Sequence, residues 1–159
     1  MLTNCFGSQE VRNGMFGYLE QDSIRVLLVD EECLVRASVA ALLSSWNGFQ
    51  IIGEAETKDD ALTQCRLHEP DVILLSLAGS EEIDSEVAHE VARACGGSRV
   101  IVLVGQCTDD FVFRLMQCGA GRVLVKADQP TKLKEAIQGV YCKQRTATFK
   151  EDARNENSA

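Results

Sequence analysis

The sequence predicts a doubly wound α/β fold built on a five-stranded parallel sheet, and three observations carry that prediction. Short apolar runs rich in branched residues recur along the chain, each is followed by a segment whose apolar residues have helical spacing, and the loops between them are short. Strands and helices in strict alternation, joined by right-handed crossovers, give a parallel sheet covered on both faces.

The first unit pairs "IRVLLV" at 24–29 with "EECLVRASVAALLSSW". The strand is apolar enough to be buried on both faces. Val35, Val39, Leu42, Leu43 and Trp46 then fall on one helical face. "FQIIGEA" is the second strand, and "TKDDALTQCRLHE" opens with Thr57 and Asp60 in capping-box-like spacing before Pro70 closes the helix. The third strand is "DVILLSL". "DSEVAHEVARAC" follows it as a helix, with Val87 and Val91 one turn apart and Gly96 and Gly97 as its stop.

"RVIVLV" at 99–104 is the fourth strand. "DDFVFRLMQCGAG" brings acids suited to a helix N-terminus and ends in Gly119 and Gly121. "VLV" at 123–125 is a short fifth strand, and Pro130 starts a last helix whose Leu133, Ile137, Val140 and Tyr141 share a face. The expected organisation is an N-terminal extension (1–23), one domain (24–142) and a polar tail (143–159) without helical periodicity, expected to be disordered. Chemistry in such folds sits beyond the carboxyl ends of the strands. Asp30 and Glu31, Ser76, Val104 and Lys126 all close or directly follow a strand, which gathers them at one edge.

Composition narrows the function. The chain has 159 residues, enough for one domain, and 45% apolar with 25% charged residues suits a globular protein. A net charge of -8 argues against direct binding of nucleic acid or an anionic membrane, since phosphates need a cationic footprint. Protein partners are the first expectation. With no apolar run near membrane-spanning length and no secretion signal at the start, the expected location is the cytoplasm. Seven cysteines, at Cys5, Cys33, Cys65, Cys95, Cys107, Cys118 and Cys142, show no metal-ligand spacing and read as free thiols. His68 and His89 lie in helical segments and read as exposed or structural.

The runs "IRVLLVDEECLVRASVAALL", "GEAETKDDAL", "DVILLSL", "RVIVLV" and "GAGRVLVKADQP" make residues 24–142 resemble a response-regulator receiver domain, of the nitrate-regulator type. The resemblance implies a flavodoxin-like receiver sheet in the order 2-1-3-4-5. It also implies a pocket in which an acidic pair holds magnesium, an aspartate ending the third strand takes a phosphoryl group, and a hydroxyl residue, an aromatic and a lysine complete the switch. Asp30 and Glu31 match the acidic pair and Lys126 matches the lysine. Ser76 stands at the phosphoacceptor position, Val104 at the hydroxyl position and Val123 at the aromatic position.

A serine hydroxyl without an adjacent base is a poor nucleophile, and "LLSLAGS" is no nucleophile elbow. Removing one carboxylate should also weaken magnesium binding, because hard cations need several oxygen ligands. No cofactor or metal is therefore expected, with weak magnesium binding at Asp30 and Glu31 left as a residual option. Lys126 is free to pair with an acid directly, and Asp30 either caps the next helix or keeps a metal role.

The leading reading is a pseudo-receiver: a phosphorylation-independent interaction module in signalling or transcription control, and not an enzyme. By resemblance, its partner or a second copy of the chain should use the face of the fourth helix, fifth strand and fifth helix. Candidates on that face are Phe111, Phe113, Lys132, Lys134 and Glu135. Two alternatives stay open: a phosphorelay component modified at Ser76 or at a nearby acid such as Asp84, and a redox or small-molecule sensor using Cys33 and Cys107 or the altered pocket.

Overall fold

The computed structural model describes residues 23–156, with side-chain surroundings through residue 143; the expected N-terminal extension and Cys5 lie outside the described residues. Five strands alternate with five helices: β1 (Ile24–Val29), α1 (Cys33–Ser44), β2 (Phe49–Ala55), α2 (Lys58–His68), β3 (Val72–Leu77), α3 (Glu81–Ala94), β4 (Arg99–Val104), α4 (Asp109–Gln117), β5 (Ala120–Val125) and α5 (Pro130–Glu156). The sheet is parallel throughout, in the order β2-β1-β3-β4-β5.

Side-chain alternation along the three central strands divides the core in two. Leu27, Ile73, Leu75 and Val102 face α2, α3 and α4, packing with Ala61, Ala88, Val91, Phe111 and Leu115. Val26, Leu28, Leu74, Ile101 and Leu103 face α1 and α5, against Leu43, Leu133, Ile137 and Val140. β1, β3 and β4 are largely apolar at both parities because both faces are covered; Arg25, Ser76 and Arg99 are the polar residues in them.

The caps explain most of the helix starts. Thr57, Ser80 and Thr108 each accept a hydrogen bond from the backbone N–H three residues on. Ser80 moves the start of α3 to Glu81, three residues ahead of the expected Asp84. Glu69 takes a left-handed conformation (φ 45°), and Pro70 follows it, so α2 ends there. β5 begins three residues before the expected Val123. Gly119 turns into it at φ 105°, where an added Cβ would come within 2.9 Å of Ala92.

The tail departs from expectation. α5 continues past residue 142 to Glu156 instead of giving way to a disordered segment. No glycine or proline follows Gly139, and Lys143, Gln144, Arg145, Ala147, Lys150, Glu151, Ala153 and Arg154 are all good helix formers. Local propensity thus carries the helix on. Among the described residues, no helix is long and apolar enough to cross a membrane.

Candidate functional site

Asp30, directly after β1, is 6% exposed, and all its polar groups are engaged. Its N–H donates to the Ala55 carbonyl at 3.1 Å, and its carbonyl accepts from Arg36 Nη1 at 2.7 Å. One carboxylate oxygen accepts the Glu32 N–H at 2.8 Å; the other lies 3.6 Å from Lys126 Nζ. The N-cap residue of α1 is Glu32, whose side chain makes no capping bond, so Asp30 shapes the turn into α1 rather than capping it. Glu31 is exposed beside it.

Sequence inspection did not single out Arg36, although it organises this corner. Buried at 8% exposure, it donates from Nε to Glu54 and from Nη2 to Glu56, both at 2.9 Å, besides holding the Asp30 carbonyl. The Glu54 hydrogen bond, opposed by burial and aided by Glu56, raises its pKa. One signal was available: arginine in the apolar row of a helix is buried only when paired.

Lys126 follows β5, and its N–H donates to the Val104 carbonyl at 2.8 Å. Its ammonium reaches the edge of a cleft of about 400 Å³. Leu77, Val104 and Phe111 give the cleft apolar lining, while Glu32, Glu81 and Asp84 supply acids. Asp84 is 6% exposed, and its Oδ1 accepts the Gly79 N–H at 3.2 Å. Burial raises the Asp84 pKa, the Gly79 bond opposes that rise and the Glu31 charge adds to it. A Cβ at Gly79 would sit 2.9 Å from Asp84 Oδ1, so the carboxylate would have to shift to admit one.

Ser76 is half-buried at the next-to-last position of β3, paired in register with Leu103. Its parity follows Val72 and Leu74 towards α1 and α5, whereas Leu77 takes the opposite parity and lines the cleft. Among the described residues its hydroxyl has no side-chain hydrogen bond, and no histidine or acid is bonded to it. Val104 is 2% exposed and lies in the core beneath the cleft; Val123 packs partly buried against the same cluster. Among the described residues no three acidic, histidine or cysteine side chains converge as a metal ion would require, and Asp30 already uses both carboxylate oxygens.

The candidate partner face needs correction at two positions. Phe111 is 3% exposed, because the first turn of α4 points it into the core beneath the cleft, so it is not a surface residue. Lys134 is only half-exposed and stands 5.7 Å from the Trp46 ring centroid, a contact that draws it to the α1 side of α5. Phe113 and Met116 on α4 are exposed, as are Lys132, which bonds Asp128 at 2.8 Å, and Glu135. Cys33 and Cys107 are exposed, and Cys65 and Cys95 are buried; burial foremost, with the Cys95 contact, pushes the Cys65 thiol up.

A doubly wound domain with an acid–lysine pair beyond the ends of its strands has the layout that the resemblance to a receiver domain implies. The response regulator receiver domain family matches residues 26–138, and the chain belongs to that family. It is 33% identical over 122 residues to the response regulator UvrY of Escherichia coli and 31% identical over 122 residues to the response regulator GacA of Pseudomonas aeruginosa. Each match covers 77% of this chain and 56% or 57% of the relative, so the chain spans about half the length of the curated relatives it matches. The signal receiver domain of the putative response regulator NarL from Mycobacterium tuberculosis superposes with a TM-score of 0.64 at 27% identity, covering 78% of this chain and 98% of that one.

Proposed function

We propose that this receiver works without phosphorylation, as a protein-interaction module in signal transduction or transcription control. The observation that carries the reading is the state of the strand ends: among the described residues Ser76 has no activating base, while Asp30 and Lys126 pair with each other. A hydroxyl needs an adjacent base to attack phosphorus, whereas an ionised carboxylate does not. Val104 adds an apolar side chain where a receiver would grip the phosphoryl oxygen, and Val123 has no ring to move. On this reading the domain is regulatory and not an enzyme. Its output surface is the α4, β5 and α5 face, where Phe113, Met116, Lys132 and Glu135 are exposed to a protein partner or a second copy.

Intact-mass measurement after incubation with a small phosphodonor and magnesium tests this. The expected result is no added phosphoryl mass, and a substantial shifted fraction overturns the reading. Ser76→Asp alone should give poor switching, because Val123 still lacks the aromatic ring.

A second reading rests on Asp84, a buried carboxylate that lines the same cleft as Lys126. If Asp84 is an alternative phosphoacceptor, the mass gain appears in the natural chain and disappears in Asp84→Asn.

A further inference from the structure

The mouth of the cleft has its own chemistry, whether or not any side chain there is ever phosphorylated. Three acids, Glu32, Glu81 and Asp84, line it with Asp30 and Glu31 nearby, against two bases, Lys126 and Arg114; Arg36, behind Asp30, is taken up by Glu54 and Glu56. Both bases already have carboxylate partners: Lys126 pairs with Asp30, and Arg114 reaches across from α4 to Glu81. The remaining charge at the mouth is therefore negative, which repels anions and attracts cations.

Asp84 provides the second, independent observation. It lines the cleft at 6% exposure, and only Oδ1 has a hydrogen-bond donor; among the described residues its other oxygen has none. A buried carboxylate oxygen without a donor is costly, and a donor arriving through the cleft would relieve that cost. The apolar lining of Leu77, Val104 and Phe111 suits the aliphatic stem of a long basic side chain better than a hydrated metal ion.

The rim adds an apolar component. Leu34, in the first turn of α1, is 81% exposed, and Ile83, between the cleft-lining Glu81 and Asp84 on α3, is 59% exposed. Both helices begin at the carboxyl edge of the sheet, so the two side chains flank the acidic mouth. We infer that this mouth docks a basic amphipathic segment of a partner protein, which places an arginine or lysine side chain against Asp84 and apolar side chains on Leu34 and Ile83. Arginine fits best, because its planar fork can donate to a carboxylate while its stem lies on apolar surface.

Backbone amide NMR of the full, unphosphorylated chain tests the inference. The probe is a synthetic amphipathic helix of leucine and arginine, compared with the same peptide carrying citrulline in place of arginine. Saturable shifts are expected at the Gly79, Gly105 and Lys126 amides with the arginine peptide only. Asp84→Asn should weaken that binding about tenfold or more, as loss of a desolvated charge pair does. The pair Leu34→Ser and Ile83→Ser, at exposed positions where folding is not at stake, should weaken it several-fold. Glu69→Gln, exposed after α2 at the opposite edge of the sheet, should leave it within about twofold, as for a distant charge. No saturable binding, equal binding of the citrulline peptide, indifference to Asp84→Asn or to the rim pair, or shifts spread over the acids of α2 and α5 would each overturn the inference. No phosphodonor is present, so the result is separate from the phosphorylation test.

Discussion

β1 and β3 lie side by side, with Val29 paired to Leu75, so Asp30, just past β1, and Ser76, next to last in β3, both stand one step beyond the same rung. Their surroundings differ sharply. Asp30 ties together β2, α1 and β5 through the Ala55 carbonyl, the Arg36 guanidinium, the Glu32 N–H and Lys126. The Ser76 side chain ties nothing together among the described residues. The acid at the end of β1 therefore has structural work that does not depend on phosphoryl chemistry, and its presence is no argument for such chemistry. Among the described residues the Ser76 side chain near the end of β3 has no comparable structural tie.

Substitutions can break or sharpen this contrast. The largest effect is expected for Asp30→Ala, which strands the Glu32 N–H and removes the partner of Lys126; equilibrium unfolding should show a loss of about 2 kcal/mol, the scale of a hydrogen bond to a charged group. Lys126→Ala removes a longer and partly exposed ion pair, so its cost should be about 1 kcal/mol or less. That substitution should also leave partner binding largely intact, whereas charge changes at Lys132 and Glu135 should weaken binding modestly and in a salt-dependent way. If Lys126→Ala abolishes binding while those changes do nothing, the pocket is a working switch. Ser76→Ala should change stability by no more than about 0.5 kcal/mol, and a loss matching that of Asp30→Ala would erase the contrast.

Magnesium should do less again. When the dissociation constant exceeds a millimolar concentration, binding adds at most about 0.4 kcal/mol, so thermal scans should rise by less than about 2 °C. A rise of several degrees would mean that Asp30 and Glu31 form a competent cation site. The subtlest expectation concerns pH. Burial holds the folded-state pKa of Asp84 above its unfolded value, so the folded state keeps the proton more firmly and stability from this group rises as pH falls through that window. Asp84→Asn should thus be the more stable chain at neutral pH. Its advantage should close as pH falls through the folded-state value towards about 4, the ordinary aspartate range. An advantage that stays constant across this range would mean that the carboxylate carries no such burden.

Much of this was legible in the chain because the signals were local. The β-branched runs, the helical spacing, Thr57 three residues before Asp60 and Pro130 at a first helical position each specify a short stretch without reference to the rest. Two errors had local causes as well. Ser80 capped α3 earlier than the acids suggested, and the helix formers after Gly139 carried α5 through a segment that apolar periodicity alone would have ended. At the site, Asp30, Ser76, Val104 and Lys126 could be placed at strand ends by counting. The part played by Arg36 could not, since its partners Glu54 and Glu56 lie about twenty residues away across the first crossover.

The sequence by itself determined the parallel sheet and the five strand ends that face one edge. These depend on residue type and period, which adjacent residues set. Only the tertiary structure decided which side chains meet at that edge. It sent Phe111 inward and left Phe113 exposed, laid Lys134 beside Trp46, and aimed Asp84 into the cleft against Gly79 while Ser76 took the other parity. Such outcomes depend on how each helix is rotated and set against the sheet, and that is fixed by packing among residues far apart in the chain.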